Sequence, residues 1–288
     1  MMSLQKVGKF ALKYYRYCLL KWDAVAAFLA IHSGQAKWIA HLILIVGVPK
    51  SGTNWMAQLL EQIPGFKRAI VFDPDDCNDS HDICNDIFLH LPQNAHYVMK
   101  LHTQYSTSNV EVLERFNIRP VIMYRDIRDL CVSRYYHVLN DPTHRHHAQY
   151  NSSPQDDSIM HCINQTIERY LPWIENWRLA ISKQPERFFV INYETLRQDA
   201  GLVLSRVLDY YEIDLPRETI NGIVQKIASR TKFDLRENLR TRKGTARKGV
   251  VGDWRNHFNP DHVRLIKEKC GQHLIDLGYE RDFAWSND

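Results

Sequence analysis

Residues 42–63 read LILIVGVPKSGTNWMAQLLEQI, and this stretch decides the fold. Leu42 to Val48 is an unbroken apolar run of strand length, the pattern of a strand buried on both faces. The Pro49–Gly52 segment breaks the run with turn residues. An amphipathic helix follows from Asn54 to Ile63. A strand, a glycine-bearing loop and a helix start in this order read either as a plain structural connection or as an anion site. The open N–H donors and the positive end of the helix dipole meet there, and Lys50 adds a point charge.

Three more apolar runs of strand length follow: AHYVMKLH (95–102), RPVIMYRD (119–126) and RFFVINYE (187–194). Helical patterns separate them, over 128–139 and about 159–182, and others cover about 199–211, 217–229 and 260–277. Strands alternating with helices predict an α/β fold with a parallel sheet covered on both faces. Ligands in such sheets bind beyond the carboxyl ends of the strands. That directs attention to Pro49–Trp55, Lys100–His102, Arg125 onward and Tyr193–Glu194. With 288 residues and no internal repeat or low-complexity linker, one domain over 39–288 is expected, preceded by a helical extension over 1–38. Residues 3–31 of that extension interleave lysines with a broad apolar face. They read either as a helix packed on the domain or as a peripheral membrane contact.

Composition excludes several classes. Hydrophobic residues make up 44% and aromatics 11%, which rules out a disordered or fibrous chain. The 37 Lys+Arg against 33 Asp+Glu leave a net charge of +4, too small to imply nucleic acid. The six cysteines form no CxxC pair and predict reduced thiols. No run supplies the ~20 apolar residues of a membrane span, and lysines interrupt any signal-peptide layout at the N-terminus. A cytoplasmic protein is expected.

The loop is not a nucleoside-triphosphatase loop. That motif needs GxxxxGK[ST], with lysine directly after the second glycine. Gly47 and Gly52 have the spacing, but Thr53–Asn54 follow and the lysine stands at 50. Instead, PKSGTNW (49–55) resembles the 5′-phosphosulfate loop of the cytosolic-type sulfotransferases. YRDIRDLCVSRYYH (124–137) resembles that family's 3′-phosphate motif, and RKGVVGDWRNHF (247–258) resembles its RKGxxGDWxNxF signature. The resemblance implies a P-loop-like, nucleotide-kinase-like three-layer sandwich. It also implies sulfuryl transfer from 3′-phosphoadenosine 5′-phosphosulfate (PAPS) to an acceptor hydroxyl or amine, without a metal.

By that resemblance Lys50, Ser51, Gly52, Thr53, Asn54 and Trp55 hold the 5′-phosphate and the start of the adenosine site. Arg125, Ser133, Arg247, Lys248 and Gly249 take the 3′-phosphate, and Tyr193, Thr231 and Phe233 complete the adenine contacts. His102 aligns with the catalytic base, a role suited to a group that titrates near ~6.5. Lys50 and Lys100 face the charge that develops on the transferred group. The acceptor is a small molecule, lipid or carbohydrate, lined by about 72–94, 140–157 and 234–246. The histidines of THRHHAQ (143–149) read as solvated polar chain rather than a metal site. Residues 72–82 read as a variable loop. Three departures from the family stand out: Thr103–Gln104 in place of its usual Leu-Pro, a short segment between Phe233 and Arg247, and no dimer signature after Phe258. The rival readings are a P-loop nucleotide kinase and a nucleotide-binding protein without catalysis.

Overall fold

The computed structural model describes residues 42–69, 83, 88, 91, 95–241 and 249–286, with the backbone alone at 231–241. The 1–38 extension, the 72–82 loop, Arg247 and Lys248 therefore lie outside the described residues, and so do the side chains of Thr231 and Phe233.

Five parallel strands form one sheet in the order β2-β3-β1-β4-β5. They are β1 (Leu42–Gly47), β2 (Phe66–Arg68), β3 (His96–Leu101), β4 (Val121–Tyr124) and β5 (Phe189–Asn192). The helices are α1 (Thr53–Leu60), α2 (Thr107–Arg115), α3 (Ile127–Asn140), α4 (His147–Ser152), α5 (Gln155–Lys183), α6 (Tyr193–Gln198), α7 (Ala200–Tyr210), α8 (Arg217–Thr241) and α9 (Pro260–Asp276). Among the described residues no helix is long and apolar enough to cross a membrane.

The central strand explains the layering. Leu42, Leu44 and Val46 of β1 enter one apolar cluster while Ile43 and Ile45 enter another, the two-residue alternation of a strand. The first cluster is closed by α3, α5 and α9 through Leu130, Ile163, Trp177 and Ile266. The second is closed by α1, α7 and α8 through Met56, Leu59, Leu204 and Ile223. Helices on both faces of a parallel sheet complete the three-layer sandwich.

The strands expected from the four apolar runs are all present. β2 is an addition: its sequence, FKR, has no apolar run to announce it. The helix expected over 217–229 continues to Thr241. Among the described residues Cys131, Cys162 and Cys270 are free and buried near one another, and burial pushes each thiol up. They are packing residues.

Candidate active site

The β1–α1 loop is built by two close approaches. A Cβ on Gly47 would lie 2.4 Å from Thr53 Cγ2, so only glycine lets the strand end meet the helix start. Gly52 has φ 88°, and a Cβ there would lie 2.6 Å from Cδ2 of Tyr193. Ser51 is fully buried. Its hydroxyl donates to the Val48 carbonyl at 2.7 Å, and its amide donates to the same oxygen at 3.1 Å. Both donors of Ser51 therefore shape the loop, and the Trp55 and Met56 amides donate to the Gly52 carbonyl at 2.9 and 3.1 Å, which leaves the Thr53 and Asn54 amides as the open donors of the helix start. Lys50 also adopts positive φ, 77°. A lysine held in the left-handed region costs roughly 1–2 kcal/mol, the kind of strain found where a side chain must be aimed. Gly52→Ala is expected to destabilise the fold by about 1–2 kcal/mol and to push Tyr193 away from the loop. Thermal denaturation and titration with adenosine 3′,5′-bisphosphate would register both effects.

Register brings the next residue in. Ile45 of β1 pairs with Lys100 of β3, so the end of β3 lies beside the start of the loop. His102 Nδ1 lies 2.5 Å from the Gly47 carbonyl, and its Nε2 lies 3.2 Å from Lys100 Nζ. A carbonyl only accepts, so Nδ1 carries the proton. Nε2 is left with its lone pair, accepting from Lys100. Burial, and then Arg68, pull the Lys100 ammonium below the usual lysine range. Behind His102, the Thr103 carbonyl accepts from the indoles of Trp173 at 2.9 Å and Trp177 at 3.2 Å. Helix α5 thus clamps the chain on the far side of the histidine.

On the other side of β1, Arg125 directly follows β4, buried to 8% exposure. Its Nη2 donates to Asp129 at 3.2 Å and to the Val250 carbonyl at 3.1 Å, and its guanidinium lies 4.2 Å from the Tyr193 ring centre. Its Nε is buried without a partner, an orphan donor suited to a phosphate oxygen. Ser133, two turns along α3, is half-buried. Trp55 packs edge-on to Tyr193 at 6.4 Å, with the Arg197 guanidinium 5.3 Å over its ring and its indole nitrogen unpartnered.

Asp129 joins the separate motifs. Its carboxylate accepts from Arg125, from the Gly252 amide at 2.8 Å and from the Trp254 amide at 3.0 Å. Trp254 is itself buried beneath the Arg128 guanidinium, 4.3 Å from its ring. Gly249 comes close to Tyr193, whose hydroxyl would be 3.4 Å from a Cβ placed there. The structure therefore brings together Lys50–Trp55, Lys100, His102, Arg125, Tyr193 and Gly249. Asp129, Thr103 and Arg197 were not candidates from the sequence. The i,i+4 spacing of Arg125 and Asp129 looks like an ordinary surface pair until Gly252 is seen to arrive.

Comparison with known proteins settles the family. The profile of the sulfotransferase domain matches residues 41–278. The chain belongs to the sulfotransferase domain family. It is 23% identical over 268 residues to Sulfotransferase 1E1 of Rattus norvegicus, covering 81% of this chain and 83% of the relative. It is 24% identical over 261 residues to Flavonol 3-sulfotransferase of Flaveria bidentis, covering 80% and 81%. Mouse sulfotransferase SULT7A1 complexed with PAP has a similar fold, with a TM-score of 0.59 at 20% identity over 85% of this chain and 90% of that one. Retinol dehydratase, in a complex with androsterone and inactive cofactor PAP, gives a TM-score of 0.53 at 16% identity, covering 82% and 81%. The P-loop-like sheet of this sulfotransferase is thus the fold of its family.

One expectation is revised. The histidines of 143–149 are not a solvated run: His144, His146 and His147 are half-buried. His147 Nδ1 lies 3.2 Å from the Val138 carbonyl, while His144 and His146 pack against each other with ring centres 5.7 Å apart. Among the described residues no group of His, Cys, Asp and Glu is placed to hold a metal ion.

Proposed function

We propose that the enzyme transfers the sulfuryl group of PAPS to an acceptor hydroxyl or amine at the carboxyl ends of β1, β3 and β4. One observation carries the assignment of the base: the Gly47 carbonyl holds the proton of His102 on Nδ1 and leaves Nε2 basic beside the phosphate loop. In the step, the acceptor oxygen forms a bond to sulfur, and the bond from sulfur to the 5′-phosphate oxygen breaks. The acceptor proton passes to His102 Nε2, and adenosine 3′,5′-bisphosphate leaves.

An acceptor hydroxyl donating to Nε2 takes the place of Lys100 Nζ. The lysine is then released toward the sulfuryl oxygens, where a buried cation stabilises growing charge more than it would in water. Lys50 and the Thr53 and Asn54 amides at the start of α1 take the 5′-phosphate. Arg125 and Ser133 take the 3′-phosphate, with Arg247, Lys248 and Gly249 closing over it. Trp55, Tyr193, Thr231 and Phe233 form the adenosine site. The fit is supported by the orphan Nε of Arg125 and by the amide-lined loop.

We assign this chemistry to a domain over 39–288, with 1–38 as an extension, in keeping with a family match that begins at residue 41. Small-molecule acceptors are part of the proposal, since relatives are named for flavonols and a structural neighbour is complexed with androsterone. Cytoplasmic placement belongs to the proposal as well, in line with a relative named Cytosolic sulfotransferase 17 in Arabidopsis thaliana.

Calorimetric titration is the direct test. Adenosine 3′,5′-bisphosphate is expected to bind, and ATP with magnesium to bind far more weakly. The reverse preference would favour a nucleotide kinase. Arg125→Ala should raise the donor KM about 10- to 100-fold, as expected for losing charge-assisted hydrogen bonds. It should change binding of adenosine 5′-phosphosulfate, which lacks the 3′-phosphate, much less. Equal effects on both donors would refute its role.

A further inference from the structure

The last paired rung between β4 and β5 joins Tyr124 to Asn192. The next residue on each side is Arg125 and Tyr193, whose guanidinium and ring meet at 4.2 Å. Beyond that rung Glu194 ties the two strand ends together. Its Oε1 accepts from the Asp126 amide at 3.1 Å, and its Oε2 accepts from the Tyr279 hydroxyl at 3.0 Å. Tyr279 stands 85 residues further along the chain, in the segment that follows α9.

That segment is fixed at several points. Gly278 turns the chain at φ 74°, and the amides of Tyr279 and Glu280 donate to the Leu274 carbonyl at 2.8 and 3.2 Å. Phe283 packs against α9 where Gly271 leaves room, since a Cβ there would lie 2.4 Å from the ring. The Glu280 carboxylate pairs with Arg128, which is 2% exposed. Arg128 in turn donates to Asp126, from Nη2 at 2.7 Å and from Nε at 3.0 Å, and lies 4.7 Å from the Trp285 ring.

The C-terminal segment therefore reaches Asp126 twice, through Glu194 to its amide and through Arg128 to its carboxylate. Asp126 directly follows Arg125, so both ties bear on where the Arg125 side chain starts. The hydroxyl keeps the proton it gives, because burial and then the Glu194 charge push Tyr279 up. Burial also pushes the Glu194 carboxyl up, and the bonds from the Asp126 amide and Tyr279 oppose that shift. Both bonds thus favour the ionised carboxylate, which only accepts.

We propose that Tyr279 and Glu194 are positioning residues for the donor: the bridge from hydroxyl to carboxylate to amide sets Arg125 against Tyr193 so that its guanidinium meets the 3′-phosphate. The proposal rests on the sulfuryl-transfer reading above and gives the C-terminal segment a part in it. A charge-assisted hydrogen bond to phosphate depends on geometry, so a small displacement of Arg125 weakens that contact before any other.

The experiment titrates the full chain calorimetrically with adenosine 3′,5′-bisphosphate and with adenosine 5′-phosphate, which differ only in the 3′-phosphate. The ratio of their affinities reads the contact in question, with no acceptor needed. Tyr279→Phe deletes one hydroxyl and is expected to shrink the ratio about tenfold, with adenosine 5′-phosphate changed by no more than about twofold. Glu194→Ala should do the same. Glu194→Gln can keep the bridge, its oxygen accepting from Asp126 and its amide donating to the Tyr279 oxygen, and should return the ratio to within about twofold of the parent. A merely structural role would weaken both nucleotides alike, in step with the drop in Tm, and that result overturns the proposal. An unchanged ratio in Tyr279→Phe overturns it too, and so does a Glu194→Gln ratio as low as that of Glu194→Ala. Should Glu194→Ala fail to fold, Tyr279→Phe against Glu194→Gln decides. An unaltered enzyme that binds the bisphosphate no better than adenosine 5′-phosphate would instead overturn the donor reading itself.

Discussion

Replacing His102 with alanine is expected to lower turnover about 10²- to 10⁴-fold while adenosine 3′,5′-bisphosphate still binds nearly as in the parent enzyme. The asymmetry follows from where the ring sits. Its Nδ1 is occupied by the Gly47 carbonyl and its Nε2 by Lys100, so neither nitrogen belongs to the phosphate loop's anion-facing donors. Removing the ring deletes one buried hydrogen bond to the loop, worth about 1 kcal/mol, and leaves the α1 amides and Arg125 in place. Thr103, pinned by Trp173 and Trp177, keeps the end of β3 from drifting. His102→Asn refines the test. Its amide can still donate to Gly47 but has no basic nitrogen, so stability should recover while turnover stays low. Radiolabelled-donor assays with near-normal turnover in either variant would remove His102 as the base.

The order of strands and helices was legible because β1, β3, β4 and β5 are short apolar runs, and a parallel sheet buried on both faces needs such runs. The three motifs were legible for a different reason: PKSGTNW, YRDIRDLCVSRYYH and RKGVVGDWRNHF each resemble a signature of one family and follow one another in its order. β2 escaped because three residues at a sheet edge carry no periodicity. The supports of the site escaped because they are long-range. The Thr103 carbonyl is held by indoles 70 and 74 residues away, and no local pattern connects them. The histidines of 143–149 illustrate the same limit. Their polarity predicts exposure, but α5 supplies His161 and Gln165 to cover them, with Gln165 Nε2 3.2 Å from His146 Nε2. Asp129 is the clearest instance, since its chief partners come from the far end of the chain.

Asp129→Asn is expected to weaken donor binding at least tenfold while leaving the catalytic step largely intact, the reverse of the His102 result. The carboxylate accepts from three donors: Arg125 and the Gly252 amide on Oδ2, and the Trp254 amide on Oδ1. An asparagine offers one acceptor and one donor. Whichever way its amide is turned, a donor faces a donor, and either Trp254 or the Arg125–Gly252 pair is left unsatisfied at about 1–3 kcal/mol. Burial pushes the Asp129 carboxyl above the usual carboxylate range, against the pull of Arg125 and the two amides. A folded-state pKa raised in this way means that its ionisation subtracts from stability as pH climbs through the raised value. What the ionised group provides is position: it fixes the Gly252–Trp254 turn to α3 and turns Arg125 so that the guanidinium lies over Tyr193 with Nε unpartnered. A positioning role and a merely structural one separate on the choice of donor. If Asp129 acts through Arg125, the parent and Asp129→Asn should differ strongly in KM for PAPS and little for adenosine 5′-phosphosulfate, which has no 3′-phosphate to lose. A variant that is only less stable would lose both donors alike, in proportion to its drop in Tm.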